Sequence, residues 1–112
     1  PTEYARFLTE MMREDRSAEH SISAKTRSEM LSPKSFDKEH MRHFGLGWAI
    51  RNVGSRPRYS HGGSNKSGFR CYARFDLVGK TGIVIMTNAI GGRELHESLV
   101  IQIDQAVQLT VQ

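Results

Sequence analysis

The chain has 112 residues, 38% of them hydrophobic, with 16 Lys or Arg against 12 Asp or Glu and a formal net charge of +4. That suits one modest core and at most one domain, and no apolar run approaches the ~20 residues a membrane helix needs. The basic residues are scattered, with no aromatic-interleaved strip or lysine block, so nucleic acid is not an expected partner. The single Cys71 excludes an internal disulfide and leaves the compartment open.

In chain order, Thr2 is placed to cap a helix whose apolar residues Tyr4, Phe7, Leu8, Met11 and Met12 follow one-sided helical spacing. Glu3 falls in its first turn, where the helix dipole favours an anion. Arg13 to Ser23 is polar and reads as a loop. Ser23 opens a second, short helix through Leu31, ended by Ser32-Pro33. Lys34 to His43 is again polar and reads as a linker.

The character then changes. Phe44-Gly45-Leu46-Gly47-Trp48-Ala49-Ile50 starts a strand, Asn52 to Pro57 supplies a turn, and Arg58 to Gly63 returns as the second arm of a hairpin. Gly68 breaks the chain before a further strand. In it Phe69, Cys71, Ala73 and Phe75 alternate with Arg70, Tyr72 and Arg74, which predicts one buried face with Cys71 as a small core residue. Val78 to Gly82 turns into Ile83-Val84-Ile85-Met86-Thr87-Asn88, apolar on both faces and expected to be covered on both. After Gly91-Gly92, a closing helix carries Leu95, Leu99, Ile103 and Ala106 on one stripe. Val100 and Val107 widen it, opposite Glu97, Gln102 and Gln105. The expected fold class is α+β: an antiparallel sheet of about three to five strands, N-terminal helices, and a C-terminal amphipathic helix packed on the sheet.

Several short patterns look chemical. Ser35-Phe36-Asp37-Lys38 matches S-x-x-K, but that chemistry needs the serine at the start of a buried helix beside a desolvated lysine, and little apolar material surrounds it. Lys80-Thr81-Gly82 matches K-T-G in letters yet occupies a tight turn before an apolar strand. It lacks the earlier glycine and the following helix of a phosphate loop. His40 and His43 are three apart, without a further ligand at metal spacing, and read as a solvated loop.

The most informative stretch is Tyr59-Ser60-His61-Gly62-Gly63-Ser64-Asn65. Two glycines at a strand end let another chain or a ligand approach the backbone. They leave amide donors bare beside one titratable imidazole. A Gly-rich turn with an incidental histidine has the same letters.

The order Phe44-Gly45-Leu46-Gly47-Trp48, then Ser60-His61-Gly62-Gly63-Ser64-Asn65, Gly68-Phe69, Ile83 to Asn88 and a terminal amphipathic helix resembles the C-terminal part of the serine β-lactamase-like family. That family includes class C β-lactamases, DD-peptidases and related esterases. Thr2 to Leu8 looks like its helix before this segment, and Met30 to Pro33 like the linker that follows. The resemblance implies a partial β-lactamase/transpeptidase-like fold, with His61-Gly62-Gly63 as the third motif in its H-x-G form. It implies that the Ser64 N–H joins the nucleophile's own amide in an oxyanion hole, and that Gly62, Gly63, Ser64 and Asn65 lie along the substrate. His61 would hydrogen-bond a substrate carboxylate or carbonyl, or steer proton transfer, since imidazoles change charge near physiological pH.

The substrate so implied is a β-lactam, a D-Ala peptide or an ester, attacked by an acyl-forming serine without metal or cofactor. The compartment implied is periplasmic or secreted, with the cytoplasm open. The family's S-x-x-K nucleophile and Y-x-N motif are missing, for none of Tyr4, Tyr59 and Tyr72 has Asn two residues later. The reading is therefore one C-terminal segment over residues 1–112 of a larger hydrolase domain: helices and linker at 1–43, antiparallel strands at 44–90, a closing helix at 91–112. Its partner would be the N-terminal portion of the same protein, and alone it should not turn over. A non-catalytic module that binds peptides edge-on and a self-associating fragment are the competing expectations.

Overall fold

The first helix, α1 (Thr2–Met12), sets the core in a computed structural model that describes residues 1–16 and 22–110. Its apolar spacing puts Leu8 and Met11 fully inside. Thr2 is already helical and does not cap. Pro1 holds that place, its carbonyl accepting from the Ala5 amide at 2.9 Å. The far end of α1 is closed by two guanidiniums: Arg16 donates to the carbonyls of Glu10 and Met11, and Arg27 to those of Met11 and Arg13. Of the loop expected over Arg13 to Ser23, residues 17–21 lie outside the described residues. The second helix, α2 (Ala24–Leu31), starts as read, with Ser23 Oγ accepting from the Thr26 amide.

Where a linker was expected, the chain forms a hairpin of β1 (Ser35–Asp37) and β2 (Arg42–Phe44), paired Ser35↔Phe44, Phe36↔His43 and Asp37↔Arg42. Three-residue polar strands offer no alternation to read. Their turn is made by a side chain, Asp37 Oδ1 accepting from the amides of Glu39 and His40, with Met41 at φ 50°. Then follow β3 (Ala49–Val53), β4 (Arg56–Ser64), β5 (Arg70–Asp76), β6 (Thr81–Thr87) and α3 (Gly92–Thr110). The six strands form one antiparallel sheet in chain order, more than the three to five expected. The β3–β4 turn is tighter than the predicted Asn52–Pro57, just Gly54-Ser55 with Gly54 at φ +62°.

The chain divides into two units, the first of residues 1–61 and 73–84, the second of 62–72 and 85–112. In the first, Leu8, Met11, Leu31, Trp48, Ile50, Tyr59, Ala73 and Phe75 make the core. Phe75 is its hub, with Trp48 edge-on at 4.9 Å and Tyr59 stacked at 5.1 Å; Phe7 of α1 stacks on Trp48 in turn. Gly82 lets α1 lie close, since a Cβ there would touch Met12 and Leu8. Buried Asp76 is satisfied by the amides of Val78 and Gly79, which shapes the β5–β6 turn.

In the second unit, Gly68 sits at φ +95° and Asn65 organises the β4–β5 turn, its Oδ1 accepting from the Phe69 amide. Gly92 starts α3 against Thr87, where any Cβ would overlap the threonine side chain. Tyr72 stacks on His96 at 5.0 Å. The half-covered row of α3 is His96, Val100 and Asp104, one residue round from the expected stripe; Leu95, Leu99, Ile103 and Val107 remain exposed.

Two burial expectations are corrected. Cys71 is a free, exposed thiol, and Phe69 is exposed as well; the alternation holds only for Ala73 and Phe75, under the aromatic stack. The β6 strand is not covered on both faces. It ends the sheet order, Ile83, Val84 and Ile85 are half-buried, and Met86 is exposed.

Candidate active-site strand

The β4 strand outruns its neighbour. The β3 strand begins at Ala49, opposite Ser60, while β4 continues through His61, Gly62, Gly63 and Ser64, all exposed. Strand alternation fixes where their amides point. In a two-residue hairpin the closing pair, Val53↔Arg56, is hydrogen-bonded, so Arg51↔Arg58 and Ala49↔Ser60 are too. Pro57, which has no N–H, falls opposite Asn52 at a non-bonded pair, where none is needed. Continuing the count along β4, the Gly62 and Ser64 amides take the same direction as that of Ser60, and those of His61 and Gly63 the opposite one.

His61 closes the first unit. Its Nδ1 lies 2.8 Å from the Gly47 carbonyl oxygen, and its ring meets Trp48 edge-on at 6.4 Å. The Gly45–Gly47 loop that supplies this carbonyl explains the glycine punctuation before Trp48. Gly45 packs against the Met30 carbonyl with no room for a Cβ, and Gly47 adopts φ +81°. The Gly45 amide donates to Trp48 O at 2.8 Å and the Leu46 amide to Met30 O at 2.9 Å. This loop was missing from the sequence-derived site; the repeated glycine beside a tryptophan was its only trace.

Gly62, Gly63 and Ser64 open the second unit. A Cβ on Gly63 would reach Cys71 Sγ at 3.0 Å, whereas one on Gly62 would make only ordinary contacts with Cys71 and Tyr72. Asn65 shapes the turn that follows β4. Its Oδ1 is engaged by the Phe69 amide and its carbonyl by Arg70, so it holds the turn.

The other patterns stay apart from this strand. Ser35 lies on β1 and Lys38 in the exposed turn after it, so the pair has neither the helix nor the burial that S-x-x-K chemistry requires. Asp37 between them is committed to the hairpin, with His40 Nδ1 at 2.9 Å and Arg42 Nε at 3.3 Å from its Oδ2. Burial pushes its carboxyl up, but these partners outweigh that and hold it below its ordinary value. His43 instead packs its ring against Phe36 at a tilt, centroids 4.7 Å apart, so the two histidines are separately engaged. Lys80 pairs with Glu14 at 2.9 Å in the turn before β6. Among the described residues no three His, Cys, Asp or Glu side chains are grouped to hold a metal. A surface hollow of about 360 Å³ is lined by Thr9, Met12, Arg13, Glu14 and Lys80 and by none of residues 61–65.

The chain thus has an H-x-G triplet at an exposed strand end, preceded in sequence by a G-L-G-W loop. A model of the family described as Beta-lactamase matches residues 1–108. The chain belongs to the Beta-lactamase family. Comparison with curated proteins and with solved structures gave no match. Its relatives through the family are hydrolases of the serine β-lactamase-like kind, and small molecules are the substrates that the family suggests. No helix among the described residues is long and apolar enough to cross a membrane.

Proposed function

We propose that this chain supplies the third-motif strand and an oxyanion-hole amide to a serine hydrolase that forms an acyl-serine with a β-lactam, a D-Ala peptide or an ester. The observation that carries this reading is the overrun of β4. His61 to Ser64 are exposed past Ser60, the last residue of β4 with a β3 partner, and alternation along β4 gives the Ser64 amide the direction of the Ser60 amide. A developing oxyanion is stabilised by such pre-aimed backbone donors, because they need no reorganisation as charge appears. His61-Gly62-Gly63 is the H-x-G triplet, with Gly62 and Gly63 keeping the strand bare for a flat substrate backbone. Asn65 contributes by holding the turn that follows.

The serine nucleophile and the tyrosine motif come from polypeptide outside these 112 residues. Ser35-x-x-Lys38 is the one S-x-x-K in the chain, and it lies across a strand and its turn. Residues 1–112 thus act as the C-terminal segment of a larger catalytic domain. A fluorescent penicillin tests this. The chain alone should take up no covalent label, and label should appear on the added serine once a polypeptide bearing S-x-x-K and Y-x-N from a family member is supplied. Stoichiometric labelling of Ser35 or Ser64 in the isolated chain would contradict the reading.

One observation favours a second reading. The row Leu95, Leu99, Ile103 and Val107 on α3 is exposed, and β6 with exposed Met86 ends the sheet. Both features suit self-association of the isolated chain. Light scattering over a concentration series decides it: a mass that rises with concentration supports self-association, and a constant monomer mass removes it.

A further inference from the structure

The contact between His61 Nδ1 and the Gly47 carbonyl, 2.8 Å long, has a chemical consequence. A carbonyl oxygen only accepts, so Nδ1 carries the hydrogen. The neutral ring then keeps its lone pair on Nε2. We infer that Gly47 is a positioning residue, whose carbonyl holds His61 in the Nδ1–H tautomer so that Nε2 faces a ligand as an acceptor when the ring is neutral and as a charged donor only when it is protonated. This rests on β4 being the substrate strand, and it gives that strand a ligand class. With the ring neutral, Nε2 receives an N–H, as from the amide of an uncharged peptide or carboxamide. A carboxylate meets lone pair against lone pair. On the acid side the imidazolium donates a charge-assisted bond to that same carboxylate, roughly twice as strong as a neutral one.

The loop is built to aim this carbonyl. It is tied at Gly45 N to Trp48 O and at Leu46 N to Met30 O, and Gly47 at φ +81° adopts a conformation that other residues rarely take. The groups the ring touches, the Gly47 carbonyl and the Trp48 indole, carry no charge. Tyr59 shares its face of β4 and is kept protonated well into the alkaline range by burial, while Arg56 and Arg58 alternate onto the other face. On α1 the residue against Trp48 is Phe7.

The test is a ring ¹⁵N–¹H correlation spectrum of the labelled chain, recorded where the spectrum itself shows the His61 ring to be neutral. His61 should show a protonated Nδ1 and an unprotonated Nε2, and Gly47→Ala should move it toward the mixture of a free imidazole. An Nε2–H tautomer, or that mixture in the unsubstituted chain, overturns the inference. Should Gly47→Ala fail to fold, the spectrum of the unsubstituted chain still decides. The ligand arm titrates N-acetylalanine and its carboxamide while watching the His61 ring. The carboxamide should bind about tenfold tighter where the ring spectrum shows a neutral imidazole, and the carboxylate where it shows an imidazolium. Carboxylate preference in both states contradicts the ligand class. The tautomer spectrum involves no acyl transfer, so it stands if the hydrolase reading fails. Acylation with the wrong tautomer removes this inference alone.

Discussion

A methyl group on Gly45 would run into the main-chain carbonyl of Met30, and backbone cannot swing aside as a flexible side chain can. Gly45→Ala is therefore expected to destabilise the chain by about 1–3 kcal/mol, the usual cost of overpacking, measured as a lower urea midpoint. Because that loop also presents the Gly47 carbonyl to His61, the same substitution should disturb the imidazole. Tyr59 gives a second residue-level expectation. Burial first, and the charge of Asp76 second, hold its phenol above the ordinary value, with Arg27 opposing. A group raised on folding contributes stability that is full below its unfolded value, ~10 for tyrosine, and is lost as pH rises through the folded value. Urea midpoints should thus hold to about pH 10 and then fall, and Tyr59→Phe should flatten that fall. A midpoint whose fall is unchanged by Tyr59→Phe would assign it to other groups.

At the scale of elements, what could be read in advance was what periodicity encodes. The one-sided spacing of Leu8 and Met11, the Ser23 cap and the β3–β4 hairpin all follow from local rules, and each is found. The β1–β2 hairpin was illegible because its order comes from the Asp37 side chain gripping two amides, His40 and Arg42, and not from apolar alternation. Cys71 and Phe69 keep the alternation in letters while the aromatic stack covers only Ala73 and Phe75, so pattern alone overstated burial. The hairpin carries its own pH expectation. Asp37 is depressed on folding, so its contribution is present above the unfolded carboxylate value of ~4 and lost as pH falls through the lower folded value. Amide protection over Ser35–Phe44 should therefore collapse on acidification before that of β3 and β4. Asp37→Asn should show weak protection there at every pH. Protection that survives acid as well as the core would contradict this role.

For the whole molecule, the family was legible from the order of short glycine-rich motifs, since each marks a place where backbone must approach backbone. Gly45 against the Met30 carbonyl is such a place. The candidate strand was legible in its residues but not in its geometry. Letters cannot say that β3 starts at Ala49 and strands four residues of β4 beyond it, nor that Gly47 reaches His61. The central claim is that the Ser64 amide, at the exposed end of β4, stabilises an oxyanion. It is tested most directly by comparing Ser64→Pro, which deletes the N–H, with Ser64→Ala, which keeps it. The measurement is the acylation rate by fluorescent penicillin in the complex with the serine-bearing polypeptide. The account predicts a loss of about 10²–10³ for Ser64→Pro and little change for Ser64→Ala. Equal rates for the two would contradict it.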